Sequence, residues 1–124
     1  RDRRRIDQSI AMGALFTAHQ LGAKAIVALT ASGSTALWMS RHRIDIPIYA
    51  LTPSLATQRR MALIRNVRPL LMDESDDRDV ALAQAETHLK KRGIVDTGDV
   101  YAITCGEPMG SPGGSNMLKI CRAG

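Results

Sequence analysis

Thr30-Ala31-Ser32-Gly33-Ser34-Thr35 places four hydroxyls and a glycine within six positions. The segment follows a short apolar run, Ala25 to Leu29, and precedes a stretch with helical character. A loop so placed offers hydroxyls, open backbone N–H groups and the positive end of a helix dipole. Phosphate binding asks for those features: many donors, little bulk and no carboxylate close by. Gly33 would let the backbone curl around the anion. A Ser/Thr helix cap with a glycine turn would carry the same residues without any ligand. The spacing is not that of a Walker loop, which needs G-x-x-x-x-G-K-[ST]. A second segment, Gly106-Glu107-Pro108-Met109-Gly110-Ser111-Pro112-Gly113-Gly114-Ser115-Asn116, concentrates Gly and Pro as shaped surface loops do. Following another strand, it is a candidate lid beside the first loop. A long hairpin connection without a ligand is the alternative.

Other reactive patterns are missing. His19, His42 and His88 fall far apart on predicted helices without metal-ligand spacing, so surface or packing roles are expected. No G-x-S-x-G elbow occurs. Cys105, at a strand end, and Cys121, in the last strand, read as packing residues. Asp73, Glu74, Asp76, Asp77 and Asp79 read as a solvated face, and nothing forms a general acid–base pair. Arg59, Arg60, Arg65 and Arg68 lie on a predicted helix and its exit. They too read as solvated, with a phosphate or subunit contact as the alternative.

The elements that must position the two loops alternate along the chain. Residues 2–21 carry Ala11, Ala14, Leu15 and Ala18 on one helical face, and Gly22 stops the helix. Residues 24–29 form a β-branched apolar run that suits a strand buried on both faces. A helix is expected over 35–42 and a strand over 48–51. Thr52 and Pro53 then read as cap and first position of a helix running to about Arg65. A third strand is expected over 68–72. The next helix ends near Arg92, its acidic start and basic end complementing the helix dipole. Residues 99–105 and 117–122 complete five strands. Three strand-to-helix crossovers predict an α/β domain in three layers, α/β/α, with a mostly parallel sheet. The last connection lacks a helix, so the fifth strand should run antiparallel to the fourth.

With 124 residues, a single domain over 1–124 is expected. The chain is 44% hydrophobic and 23% charged, which supplies a core and excludes wholesale disorder. No apolar run reaches membrane-span length, no signal-peptide h-region follows the N-terminal arginines, and two cysteines make no disulfide framework. A cytoplasmic protein with no membrane partner is expected. The chain opens without Met inside a predicted helix, as a piece of a longer protein would. Its net charge of +5 and the thirteen Arg among its seventeen basic residues raise nucleic acid as a partner. A basic domain binding RNA or other polyanions is the alternative reading. Dispersed arginines and 3% aromatic content weaken that reading, and anionic small molecules fit the charge equally well.

The residues from Ala25 to Ala36, Ala-Ile-Val-Ala-Leu-Thr-Ala-Ser-Gly-Ser-Thr-Ala, resemble the first strand and phosphate loop of the pyruvate kinase C-terminal domain. Pro47-Ile48-Tyr49-Ala50-Leu51-Thr52-Pro53 is similar to the family's second strand and helix cap, and Gly98-Asp99-Val100 to the opening of its fourth strand. Gly106-x-Pro108-x-Gly110, then Gly113-Gly114-Ser115-Asn116-x-Leu118-Lys119, resembles the effector loop and final strand of bacterial members. The anchors keep the family's order and spacing over nearly the whole chain. The resemblance implies a regulatory domain that binds a phosphorylated effector and helps to assemble a homotetramer. Thr30, Ser32, Gly33, Ser34 and Thr35 would hold the effector phosphate. Gly110, Ser111, Gly113, Gly114 and Ser115 would close over the rest of it, and Ser34→Asp would abolish binding. Many relatives carry Lys or Arg where Ser34 stands. The place of a second-phosphate Arg falls near Ala81, with Arg78 the nearest basic residue. One anion site of this kind suits a sugar monophosphate or AMP. The first helix and last strand would lie near a subunit contact. In the family, glycolytic phosphoryl transfer from phosphoenolpyruvate to ADP uses Mg and K in a separate catalytic barrel. This chain alone is therefore expected to be inactive and to need no cofactor of its own.

Overall fold

Apolar runs and helical stretches become strands and helices in the order in which they occur. The computed structural model describes residues 2–106 and 115–124, with side chains from residue 6 onward. The elements are α1 (Asp2–Leu21), β1 (Ala25–Leu29), α2 (Ser34–Ser40), β2 (Ile48–Thr52), α3 (Leu55–Met61), β3 (Val67–Leu71), α4 (Arg78–Lys91), β4 (Val100–Cys105) and β5 (Met117–Arg122). The described strands form one five-stranded sheet in the order β3-β2-β1-β4-β5. β1 pairs in parallel with β2 and β4, and β2 with β3; β5 runs antiparallel to β4. The fold is the α/β architecture that the crossovers predict.

Strands β1 and β2 are buried at every position, which is why they read as continuous apolar runs. Successive β1 side chains enter opposite layers. Ile26 and Ala28 pack with Ala11, Ala14, Leu15 and Ala18 of α1 and with Ala36 and Met39 of α2. Val27 and Leu29 join Ala81, Ala85 and Leu89 of α4. The alanines of α1 carry no bulk, so that helix can lie close on the sheet. The outer strands carry edge devices. Pro69 sits in β3, where a missing N–H is tolerated, and β5 exposes Lys119 and Arg122.

Several boundaries differ from expectation. The cap of α3 is Ser54, whose Oγ accepts the Thr57 N–H at 3.1 Å. Thr52 instead ends β2, and its hydroxyl accepts the Ser54 N–H. The helix stops at Met61 rather than near Arg65. Tighter three-residue bonds, Leu63 N–H to Arg60 C=O and Ile64 N–H to Met61 C=O, close it, and Asn66 at φ 63° turns the chain into β3. β3 begins one residue early, at Val67, and α2 ends at Ser40, so His42 stands in a turn. Asp77 caps α4 by accepting the N–H groups of Asp79 and Val80, which gives one residue of the acidic run a structural role. Among the described residues, no helix is long and apolar enough to cross a membrane.

Candidate anion-binding loop

The sheet order reverses around β1: the chain leaves it toward β2 and β3, and returns on its other side as β4. Open α/β sheets bind ligands at such a switch point, beyond the strand ends. The loop leaving β1 lies there. Gly33 is the N-terminal cap residue of α2, at φ 87° in the left-handed region. The Thr30 hydroxyl accepts the Gly33 N–H at 2.8 Å, and Ser32 Oγ accepts the Ser34 N–H at 3.3 Å. Thus the hydroxyls before the helix shape the turn, while the Thr35 and Ala36 N–H groups belong to the first turn, which has no intrahelical acceptors. A Cβ on Gly33 would come within 2.7 Å of Met61 Sδ, so the position is closed both by backbone conformation and by α3.

Two helices brace the loop from different sides. From α3, Thr57 donates its hydroxyl to the Ala31 carbonyl at 2.6 Å, and Arg60 Nη2 donates to the Ser32 carbonyl at 3.0 Å. Arg60 also reaches Thr57 Oγ1 at 3.1 Å, which holds the guanidinium beside the loop. Sequence reasoning read Arg60 as part of a solvated face, with a phosphate or subunit contact as the alternative. It remains exposed, but it is also a cation fixed at the candidate site. From α1 comes Asp7, 5% exposed. Its carboxylate accepts from Ser34 Oγ at 3.2 Å, from Thr35 Oγ1 at 2.6 Å and from the Ser115 N–H at 2.9 Å. Ser115 Oγ lies 2.8 Å from Thr35 Oγ1. The expectation of a loop free of carboxylates is therefore corrected. The acid arrives from 27 and 28 residues upstream of its hydroxyl partners, a separation that no local pattern encodes. A signal existed nonetheless: Asp7 keeps the helical register of Ala11, Ala14 and Ala18, the buried face of α1.

The structure thus brings Thr30, Ser32, Gly33, Ser34 and Thr35 together, and adds Ser115 to them. Gly110, Ser111, Gly113 and Gly114 lie outside the described residues. The histidines are scattered: His19 and His42 are exposed, and His88 on α4 lies 3.0 Å from Arg92. Among the described residues, no three His, Cys, Asp or Glu side chains group as metal ligands. Displaced acidities occur near the start of β4. Tyr101 donates to Glu86 at 2.5 Å, and that bond holds the Glu86 carboxyl below its usual range. Burial, then the same bond, pushes the Tyr101 hydroxyl up. Burial also raises the Cys121 thiol, while Cys105 is fully buried, so packing roles stand for both.

A mostly parallel sheet covered by helices on both faces, with a hydroxyl-rich, glycine-turned loop at its switch point, defines an open-sheet α/β domain. The family described as pyruvate kinase, alpha/beta domain, matches residues 8–121, and the chain belongs to that family. The pyruvate kinase of Staphylococcus epidermidis is 39% identical over 112 residues, 90% of this chain and 19% of its own length. That of Buchnera aphidicola is 36% identical over 118 residues, 94% of this chain and 25% of its own. The solved structure of Cryptosporidium parvum pyruvate kinase in complex with ADP matches with a TM-score of 0.86 at 27% identity, covering 96% of this chain and 24% of that one. The chain therefore spans about a fifth to a quarter of the length of these relatives. The RNA-binding alternative finds no support here. Arg41 stacks on Trp38, Arg68 on Tyr49, and Arg60 serves the loop, so these basic residues are engaged one by one at separate places.

Proposed function

We propose that the chain is a single regulatory domain of a pyruvate kinase, whose loop from Thr30 to Thr35 binds the phosphate of an allosteric effector. The observation that carries the reading is the cation at the loop: Arg60 is bonded to the Ser32 carbonyl beside exposed Ser32. It supplies the loop with a positive charge that the neutral Ser34 does not. One guanidinium and one turn of donors suit a single phosphate, so a sugar monophosphate or AMP is the proposed ligand. Phosphoryl transfer from phosphoenolpyruvate to ADP, with its Mg and K, is assigned to the rest of the enzyme chain. Homotetramer assembly would use α1, which exposes Met12 and Phe16, and the edge strand β5, which exposes Ile120. Effector binding would favour one assembled state by its differential affinity.

The test is the thermal melt of the domain with AMP, ribose 5-phosphate, glucose 6-phosphate or fructose 1,6-bisphosphate. A ligand at about 100 times its Kd stabilises by about 2.7 kcal/mol. One monophosphate should raise the melt, and Ser32→Asp should abolish the shift by placing a carboxylate beside Arg60. Ser34→Asp is the poorer choice, because its carboxylate would face Asp7 and disturb folding as well. No shift with any of the four ligands, or a shift that survives Ser32→Asp, rejects the assignment.

A further inference from the structure

We propose that Asp7 is a positioning residue that sets the affinity of the loop, by turning the hydroxyl protons of Ser34 and Thr35 away from the ligand. The inference rests on the anion-binding reading and deepens it. A carboxylate only accepts, and each hydroxyl has one proton to give. Thr35 gives its proton to Asp7 Oδ1 at 2.6 Å. The 2.8 Å contact between Thr35 and Ser115 must then use the Ser115 proton. Ser34 gives its own to Asp7 Oδ2. The three hydroxyls thus form a directed set that ends on one buried carboxylate, with the Ser115 N–H as a further donor to it. Ser32 differs: its Oγ accepts from the Ser34 N–H, so its proton is left to donate outward, where the residue is exposed. Of the four hydroxyls of the loop, Thr30 accepts the Gly33 N–H within the turn, Ser34 and Thr35 form an inner pair that ties the loop to α1 and Ser115, and exposed Ser32 is the outer one that meets the anion beside Arg60. The buried negative charge adds to the effect, because it opposes a phosphate on the other side of the same residues.

The diagnostic variant is Asp7→Asn. Its amide keeps an oxygen for Thr35 and the Ser115 N–H, but presents N–H to Ser34, whose proton is then released outward. Inorganic phosphate is titrated into wild type, Asp7→Asn and Asp7→Asn/Ser34→Ala, with binding followed at the amides of residues 31–36 by NMR. Asp7→Asn should bind about fivefold more tightly, the worth of one added hydrogen bond. The double variant should lose most of that gain. A merely structural role for Asp7 would weaken binding along with the fold. Unchanged or weaker binding by Asp7→Asn therefore overturns the proposal, as does a gain that survives intact in the double variant. Absence of saturable binding in both wild type and Asp7→Asn overturns the anion-loop reading itself. Should the Asn variant not fold, Asp7→Thr, which keeps an accepting oxygen without the charge, carries the same comparison.

Discussion

Gly33 shows how much one residue of the loop is asked to do. Its φ of 87° is costly for any residue with a Cβ, and the space a Cβ would take is filled by Met61 Sδ at 2.7 Å. The first demand was readable from a glycine between hydroxyls. The second was not, because Met61 lies on another helix. Gly33→Ala should destabilise the domain by about 1–2 kcal/mol from the backbone conformation alone. Equilibrium urea unfolding measures it, and a variant as stable as wild type would contradict the strained turn.

Among the elements, α4 and β4 are joined to the C-terminal residues by one carboxylate. Glu86 accepts from the Tyr101 hydroxyl at 2.5 Å and from the Gly124 N–H at 3.1 Å. Lys90 adds a bond to the Gly124 carbonyl, and Thr97 donates to the same oxygen. The Tyr101 bond is the main cause of the lowered Glu86 pKa. A carboxyl with a depressed folded pKa stabilises the fold above its unfolded value, about 4.3, and loses that contribution as pH falls through the folded one. Glu86→Gln should therefore be less stable than wild type at neutral pH, and the two stability curves should converge on acidification below about pH 4. Denaturant midpoints between neutral and acid pH check this, and a constant difference would mean that the Glu86 charge plays no part. The acidic run after β3 obeyed simpler physics, with Asp77 as a helix cap and its neighbours in solvent.

Over the whole molecule, helices cover both faces of the sheet, yet α1 still turns large apolar side chains outward. Phe16 is 67% exposed and Met12 48%, one helical turn apart on the side of α1 opposite its alanines. On the assembly proposed above, this face is covered by another copy. Phe16→Glu should shift the oligomer toward monomer in sedimentation velocity while leaving the folded domain intact, because no core contact is lost. An unchanged sedimentation profile would remove α1 from the assembly surface.

Much of this architecture is local in origin. β1 and β2 are buried on both faces and announce themselves as apolar runs. α1 carries its alanines at helical spacing, and the hydroxyl-rich loop follows β1 directly. Strand count, strand direction and the place of the loop were therefore determined by the sequence itself. Ends set by competition among several hydrogen bonds were less legible: Thr52 and Ser54 both suit a cap, and only the path of β2 makes Ser54 the one used. What tertiary structure alone decided is the character of the loop. Asp7, Thr57, Arg60, Met61 and Ser115 converge on it from three other parts of the chain. Side-chain periodicity reports which face of an element is buried; it carries no information on which distant group that face will meet. Packing α1 and α3 on one side of the sheet made the encounter, and with it the balance of one buried carboxylate and one exposed guanidinium around a ring of hydroxyls.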